Sequence, residues 1–349
     1  METSETRFVE RYSPGSQARV ELKNGRIVDV VNGCTYDAGT SIVMQGGKIE
    51  AMPGLAGEPT GIAPDFTIDL QGRTVIPSLY NTHVHLLMAG ATTMVAGLSD
   101  MWRSRRYGEQ QKAKTMAECL AHGITHVRDA WQPDLRGNRA LKERISKGEI
   151  PGPRIQQAVA VGLPGSYLQE KPSLMSRLLQ PSADPSRDYA GSVAFPVNAN
   201  EQQVRDAVDR AIDERGAEAI KIGEQATSFN TGKPIPMMTI EQLSAVADQA
   251  RRRGVQSMMH HVSAESFRRG ARAGVSSLEH EPWDAPLTEA DVEAVKAAGC
   301  INEPTISAFY AIFSWKLAGA RSNDDPELDR LTAFRDKTYT FATIAEEYY

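Results

Sequence analysis

The sequence of 349 residues predicts an α/β protein, a (β/α)8-type barrel of the TIM kind that is incomplete at its C-terminal end and follows a small β-sandwich. Short strands separated by turns occupy residues 18–76. From about residue 80, apolar strands alternate with amphipathic helices, and seven such strands can be identified. We therefore expect two domains, a partial sandwich over residues 1–76 and a barrel over residues 77–349 that is truncated before an eighth strand.

The N-terminal segment shows the alternation of apolar and polar residues that is typical of half-buried strands, in stretches such as ARVELKNGRIVDVV and TSIVMQGGKIEAM. Asn24-Gly25 and Gly46-Gly47 lie inside these stretches, at positions where tight hairpin turns favour such residues. The pattern predicts a small antiparallel sheet or sandwich.

Helix signals separate the apolar strands of the second part. Thr239 and Thr288 have capping-box spacing, and Gly254, Gly274 and Gly299 fall where helix C-termini are expected. Parallel strands joined by helices in this way can close into a barrel. The predicted strands are Thr82–Leu86, Ile124–Asp129, Arg154–Val161, Ala219–Gly223, Val255–His260, Val275–Leu278 and Ile301–Ile306.

The composition disfavours several classes of protein. With 41% apolar and 24% charged residues the chain is an ordinary globular protein, and a formal charge of −5 argues against nucleic acid or an anionic membrane as a partner. The three cysteines are far apart and lack metal-site spacing, which fits free thiols in a reducing compartment. No signal-peptide core or membrane-length apolar run is found in the sequence, so we expect a soluble cytoplasmic protein.

Four histidines are candidates for a metal site. His83 and His85 are two residues apart on a predicted strand, so their side chains lie on one face and can share an ion. His260 and His280 each end another predicted strand. Because the C-terminal ends of parallel barrel strands converge on one rim, we expect the four imidazoles to lie together there. His261 competes with its neighbour for the ligand role.

Lys221 lies in the apolar strand AEAIKIGE, where a charged ammonium is costly unless it is paired. One interpretation is that the ammonium pairs with Glu224 or Glu279. The other is that burial keeps the amine neutral, so that it takes up carbon dioxide as a carbamate able to bridge two metal ions. Beside four histidines we favour the carbamate.

These stretches resemble the amidohydrolase superfamily, in particular its imidazolonepropionase and prolidase-like branch. IDLQGRTVIPSLYNTHVHL is similar to the passage from the sandwich into the first barrel strand, and GITHVRDA to the second strand. IKIG resembles the carbamylated-lysine strand, and MMHHVSAESFRRGARAGVSSLEH the paired histidine strands. The interval of 20 residues from His260 to His280 matches the family spacing, which favours His260 over His261. The resemblance spans roughly residues 18–308.

The resemblance implies a metal-dependent hydrolase that cleaves an amide, peptide or cyclic C–N bond with a metal-activated hydroxide. His83 and His85 would hold one divalent ion, His260 and His280 a second, and carbamylated Lys221 would bridge them, with Lys221 and His280 contributing to catalysis. Zinc is the expected metal, with manganese or iron as alternatives. A small amide or dipeptide-like substrate and an oligomeric enzyme are also expected.

Departures from the family pattern leave alternatives open. The loop after the third strand reads GLPGSYLQ and lacks the histidine that the family often has there, so Tyr167 is the candidate substrate contact in this loop. We expect the longer segment 164–199, which includes most of this loop, to be a lid. No eighth strand with its metal-binding aspartate is recognisable after Ile306. A second polypeptide could supply both, the gene product could be longer, or the protein could be a degenerate relative; the otherwise intact ligands favour a partner chain.

Two other functions remain open at this point. A non-hydrolytic metal enzyme, such as a decarboxylase or an isomerase, also uses histidines at strand ends. The chain could also be a non-catalytic subunit of an amidohydrolase complex, which would keep the fold but have no hydrolase activity of its own. A nucleotide-binding α/β protein is disfavoured because no glycine-rich phosphate loop follows an early strand.

Overall fold

The computed structural model describes residues 17–37, 39–55, 61, 63–86, 113–169, 189–228 and 232–305. The chain divides into two compact units between Leu79 and Tyr80. Among the described residues, no helix is both long and apolar enough to cross a membrane.

The first unit contains two small sheets, with strand orders β5-β4-β1-β6 and β3-β2-β7. Their strands are β1 (Val20–Lys23), β2 (Arg26–Asp29), β3 (Cys34–Tyr36), β4 (Ile42–Gln45), β5 (Lys48–Ala51), β6 (Phe66–Asp69) and β7 (Thr74–Val75). Both sheets are mixed, because β1 pairs in parallel with β6 and β2 with β7. The predicted small sheet region is present, and it contains these two parallel pairs beside its antiparallel ones.

The two glycine turns of this unit behave differently. Gly46-Gly47 joins β4 and β5 as an antiparallel hairpin, as predicted. Asn24-Gly25 instead carries the chain from β1 in one sheet to β2 in the other, so the predicted hairpin there is wrong. The backbone packs closely at Gly25, where a Cβ would lie 2.4 Å from Leu70 Cδ1 and 3.0 Å from the carbonyl oxygen of Arg73.

Among the described residues, the second unit, with Leu79 at its border, holds a sheet of eight strands: seven follow the order β15-β14-β13-β12-β10-β9-β8, and β11 pairs with β10. The pairings given by residue register are all parallel. The strands are β8 (Leu79–Val84), β9 (Ile124–Asp129), β10 (Arg154–Gly162), β11 (Ser192–Ala194), β12 (Ala219–Gly223), β13 (Gln256–His260), β14 (Ser277–Glu279) and β15 (Ile301–Glu303). This nearly closed parallel barrel confirms the predicted fold class.

Helices cover the outside of the barrel. They are α1 (Leu135–Ser146), α2 (Glu201–Asp213), α3 (Ile240–Arg252), α4 (Ala264–Ala273) and α5 (Glu289–Ala298), and residues 113–121 are also helical. Thr239 and Thr288 form the predicted capping boxes of α3 and α5. Val204, Leu243 and Phe267, one from each of α2, α3 and α4, belong to the apolar core between helices and sheet.

The segment predicted to be a lid is only partly described. Within it, β11 pairs in parallel with the end of β10, so this part of the segment belongs to the sheet. Ser192, Val193 and Ala194 form too short an apolar run to be recognised as a strand by periodicity. Residues 170–188, on which the rest of the lid prediction rests, lie outside the described residues.

Candidate metal-binding and catalytic site

The structure brings the four predicted histidines together. His83 lies on β8 and His85 directly after it, His260 is the last residue of β13, and His280 follows β14. The ring centroids of His83 and His280 are 4.8 Å apart, those of His260 and His280 are 4.8 Å apart, and those of His83 and His85 are 5.3 Å apart. One contiguous imidazole cluster therefore lies at the C-terminal ends of three strands.

The imidazoles of this cluster are neutral at physiological pH. Burial is the main cause that lowers the pKa of each ring, to about 4 for His85 and well below the ordinary value for the other three. The charge of Lys221 lowers the pKa of all four rings further, which indicates that its amine lies near the cluster. Neutral imidazole keeps one nitrogen lone pair, which is what a metal ion requires.

Hydrogen-bond partners determine which nitrogen carries that lone pair on the β8 histidines. His83 Nδ1 lies 2.6 Å from Glu279 Oε2, and His85 Nδ1 lies 3.0 Å from the carbonyl oxygen of Trp131. A carboxylate and a carbonyl oxygen only accept, so each neutral ring donates from Nδ1–H and has its lone pair on Nε2. His83 Nε2 is buried without a hydrogen-bond partner among the described residues.

The opposite tautomer follows for His260. Its Nε2 lies 2.8 Å from Gln225 Oε1, while the amide nitrogen of Gln225 donates to the carbonyl oxygen of Thr227. Because that second bond fixes which end of the amide faces the ring, His260 donates from Nε2–H and has its lone pair on Nδ1.

His280 is held in a backbone conformation that non-glycine residues rarely adopt, with φ of 82°. Its amide donates to the carbonyl oxygen of Glu303 at 2.9 Å, and its Nδ1 lies 2.7 Å from Thr305 Oγ1. Strain of this kind persists only where surrounding contacts enforce it, and it is concentrated at functional sites.

Lys221 occupies the middle of β12, where it is 2% exposed and lies between two fully buried isoleucines. Burial lowers the pKa of its amine to about 8. The two carboxylates considered as partners make their hydrogen bonds elsewhere: Glu224 pairs with Arg269 at 2.7 Å, and Glu279 contacts His83 and Arg128. The negative charge of Glu279 nevertheless raises the pKa of Lys221 and so offsets part of the effect of burial. With a pKa of about 8, about a tenth of the amine is uncharged at pH 7, far more than for an ordinary lysine.

Tyr167 lies against the cluster from the loop after β10. Its ring stacks on His260 with centroids 4.1 Å apart and planes 22° apart. The loop approaches β12 closely at Gly223, where a Cβ would lie 2.7 Å from the carbonyl oxygen of Tyr167. Tyr167 therefore forms part of the wall of the histidine cluster.

Two further histidines make their ring contacts outside the cluster, although His261 is fully buried next to His260 and both of its ring nitrogens lack a hydrogen-bond partner among the described residues. His261 packs edge-on against Phe267 of α4, at 5.3 Å, and His126 stacks on Tyr80 near the start of β9. Sequence reasoning missed the partners Gln225 and Thr305. Gln225 comes two residues after a predicted strand end, but nothing in a single sequence marks a glutamine as the partner of a distant ring.

The donor chemistry of the cluster fits a divalent ion such as zinc, which binds neutral imidazole nitrogens. In the part of the chain that the structure describes, however, no three His, Cys, Asp or Glu side chains converge closely enough to hold an ion by themselves. Further ligands, such as a modified Lys221 or a carboxylate, would be needed to complete a site.

Comparisons with known proteins place this geometry in a family. The sequence matches the amidohydrolase family over residues 74–314, whereas a comparison with curated proteins found no match. A prolidase complexed with N-methylphosphonate-L-proline is 22% identical, with a TM-score of 0.62 over 95% of this chain and 74% of that chain. A Xaa-Pro dipeptidase with bound methionine is 22% identical, with a TM-score of 0.61 over 94% and 75% of the two chains. The ochratoxinase of A. niger is 19% identical, with a TM-score of 0.63 over 92% and 71%. The chain therefore belongs to the amidohydrolase family, whose enzymes act on carbon–nitrogen bonds.

Proposed function

We propose that the chain is a metal-dependent hydrolase that cleaves an amide, peptide or cyclic C–N bond of a small molecule. One observation carries the proposal: four neutral imidazoles from three strands meet at one end of the barrel, near a buried lysine of lowered pKa. Surface or packing histidines would not be expected to share such a cluster. The amidohydrolase family generally uses divalent metals, which agrees with this donor set.

The proposed ligands divide into two sets. His83 and His85 would hold one ion through Nε2, and His260, through Nδ1, would hold a second together with His280. Lys221, as its carbamate, would lie between them. Bound ions of this kind supply Lewis acidity to a scissile carbonyl and lower the pKa of water. Zinc suits imidazole and carboxylate ligands best, with manganese or iron as alternatives.

The chain's own residues prepare the site for this chemistry. Glu279, Trp131 and Gln225 favour one tautomer each of His83, His85 and His260, so that the proposed donor nitrogens of these three rings need no proton transfer before they bind. The amine of Lys221, partly uncharged near neutral pH, can react with carbon dioxide to form the carbamate. The aromatic ring of Tyr167, stacked on His260, offers an apolar surface for a substrate side chain.

The names of several structural neighbours support a small substrate. They include a prolidase, a Xaa-Pro dipeptidase, an ochratoxinase and a molinate hydrolase. We therefore favour a small amide or a dipeptide-like compound as the substrate of this chain.

The edges of the barrel suggest that a further strand completes it. Within the described residues β8 pairs only with β9, and β15 only with β14. Unpaired edges next to a buried interior favour pairing with another strand. We favour a second polypeptide as the source of this strand and of an aspartate that would accept the proton of the attacking water and pass it to the leaving nitrogen.

Co-expression with the product of the neighbouring reading frame tests this completion. We expect a stoichiometric complex with higher zinc content and higher amidase activity than the chain expressed alone. Equal zinc content and equal activity with and without that product would contradict the need for a partner.

Substitutions at two adjacent histidines test the ligand assignment. We expect His260→Asn to lower the affinity for Zn²⁺ by at least about 100-fold, because it removes a ligand rather than an outer-shell contact. His261→Asn, the matched control, should bind Zn²⁺ within about twofold of the wild type, because the His261 ring packs on Phe267 and is not a proposed ligand. Since His261 is fully buried, both variants are first compared with the wild type for folding by circular dichroism. The measurements are chelator competition and amine release from a panel of dipeptides and N-acyl amino acids.

The opposite ranking of the two variants would contradict the assignment of His260. Release of carbon dioxide rather than an amine or acid would instead indicate the non-hydrolytic alternative. A stoichiometric complex whose activity survives His83→Ala in this chain would indicate a non-catalytic subunit.

A further inference from the structure

We infer that Glu279 is a positioning residue for His83 and that Arg128 holds Glu279 in place from the interior of the barrel. The inference deepens the proposed function and rests on it, because it concerns how a proposed metal ligand is oriented. It is carried by two buried charged side chains, Arg128 and Glu279, and the partly buried Glu303, which together we term the barrel-floor network.

Glu279 connects β14 to β8 and β9 through hydrogen bonds of its carboxylate. It is fully buried on β14, and its Oε2 accepts the hydrogen bond from Nδ1 of His83 on β8, at 2.6 Å. Its Oε1 accepts from Ser277 Oγ at 2.5 Å and from Arg128 Nη2 at 3.2 Å. Since both oxygens have defined partners, the carboxylate cannot rotate away from His83 without breaking other hydrogen bonds.

Arg128 anchors this carboxylate to several other strands. From β9, its Nε donates to the carbonyl oxygen of Thr82 on β8 at 2.8 Å, and its Nη1 to Gln256 Oε1 on β13 at 2.9 Å. Its Nη2 lies 2.7 Å from both oxygens of Glu303 on β15, so its two N–H groups are shared between Glu303 and Glu279. The planar guanidinium thus fixes Glu279 relative to the strand that carries His83.

The arrangement matches what an imidazole ligand requires. A carboxylate that accepts from Nδ1 fixes the ring orientation, leaves the lone pair on Nε2 and makes that nitrogen more basic. His83 Nε2 is the nitrogen that is buried without a hydrogen-bond partner among the described residues. A network that served only to hold the strands together would not need to end on this ring.

The test uses the full-length chain with Glu279→Gln. An amide cannot accept through both ends, so the side chain of this variant cannot serve both His83 and Arg128 as the carboxylate does. We expect the apparent affinity for Zn²⁺, measured by chelator competition, to fall about 10- to 100-fold. Ser277→Ala, which removes one contact to Oε1 and leaves the contacts of Glu279 to His83 and Arg128, should lower it by less than Glu279→Gln does.

A second measurement does not need the metal. The ¹⁵N spectrum of the metal-free wild type, with the His83 signals identified by their loss in His83→Asn, should show the proton on Nδ1. Glu279→Gln should move that proton to Nε2 or give a mixture of tautomers. A wild-type His83 with its proton on Nε2 would overturn the inference even if Glu279→Gln failed to fold.

The results also separate this inference from the proposed function. If Glu279→Gln binds Zn²⁺ as tightly as the wild type and keeps the Nδ1 proton, the positioning role is wrong while the metal site stands. If the wild type binds no divalent metal under any condition tested, the proposed function fails, and a metal-ligand positioning role fails with it.

Discussion

Replacing Lys221 with methionine is expected to lower amide hydrolysis by about a thousandfold or more, equivalent to about 4 kcal/mol of transition-state stabilisation. The amine would be lost, and with it the carbamate proposed to hold two ions together. Methionine is nearly isosteric with the lysine stem and suits a position that lies between fully buried isoleucines on β12. The variant should therefore unfold at the same denaturant concentration as the wild type, or at a higher one.

The carbamate itself can be observed. Wild-type protein incubated with ¹³C-bicarbonate should give a carbamate carbon signal that Lys221→Met lacks. Short carboxylic acids such as acetate should restore part of the activity of Lys221→Ala, because they can occupy the space of the lost side chain and act as ligands. Lys296→Met is the matched control: its ammonium is exposed and paired with Glu293, so activity should be unchanged.

The outcome that would contradict the proposal is wild-type activity in Lys221→Met. If neither Lys221→Met nor Lys221→Ala folds, and acetate restores no activity, Lys221 is instead a buried lysine that only the fold requires.

The sequence was sufficient to predict the histidine cluster because two simple regularities determine it. Alternation on a strand places His83 and His85 on the same face, and the convergence of parallel strand ends brings His260 and His280 to the same rim. The observed ring distances of 4.8–5.3 Å agree with this convergence. Neither regularity depends on where distant side chains point, and this is why a single sequence reveals the cluster.

The features that sequence reasoning missed or misjudged depend on long-range pairing and on side-chain rotamers. Asn24-Gly25 favours a hairpin locally, yet β1 gains its partners from β4 and β6 instead. The contact of Gln225 with His260 depends on the direction of one amide group, which no periodicity encodes. Glu279 was considered as a partner for Lys221; it does raise the pKa of that amine, but its hydrogen bond goes to His83, which the sequence did not reveal.

A pH-dependent loss of stability is expected from Asp129, the last residue of β9. Its carboxyl group is 1% exposed, and burial raises its pKa to about 7, although Gln132 and Asn138 donate to it at 2.8–3.1 Å. The folded protein therefore keeps this proton at pH values where the unfolded chain, with a pKa near 3.9, has lost it. As pH rises from about 4 to 7, the free energy of unfolding should fall by up to about 4 kcal/mol from this group alone.

Asp129→Asn provides the reference, because an amide does not titrate in this range. The free energy of unfolding of each protein is measured in urea from pH 5 to pH 8 without metal. Every histidine contributes equally to both values, so these contributions cancel in their difference. The wild type should therefore lose about 1.4 kcal/mol of unfolding free energy per pH unit relative to Asp129→Asn up to pH 7, and the difference should then become constant. A difference that stays flat from pH 5 to pH 8 would mean that Asp129 is ionised throughout. Its amide donors would then offset the cost of burying the charge, and the carboxylate would act as a fixed brace near the loop that orients His85.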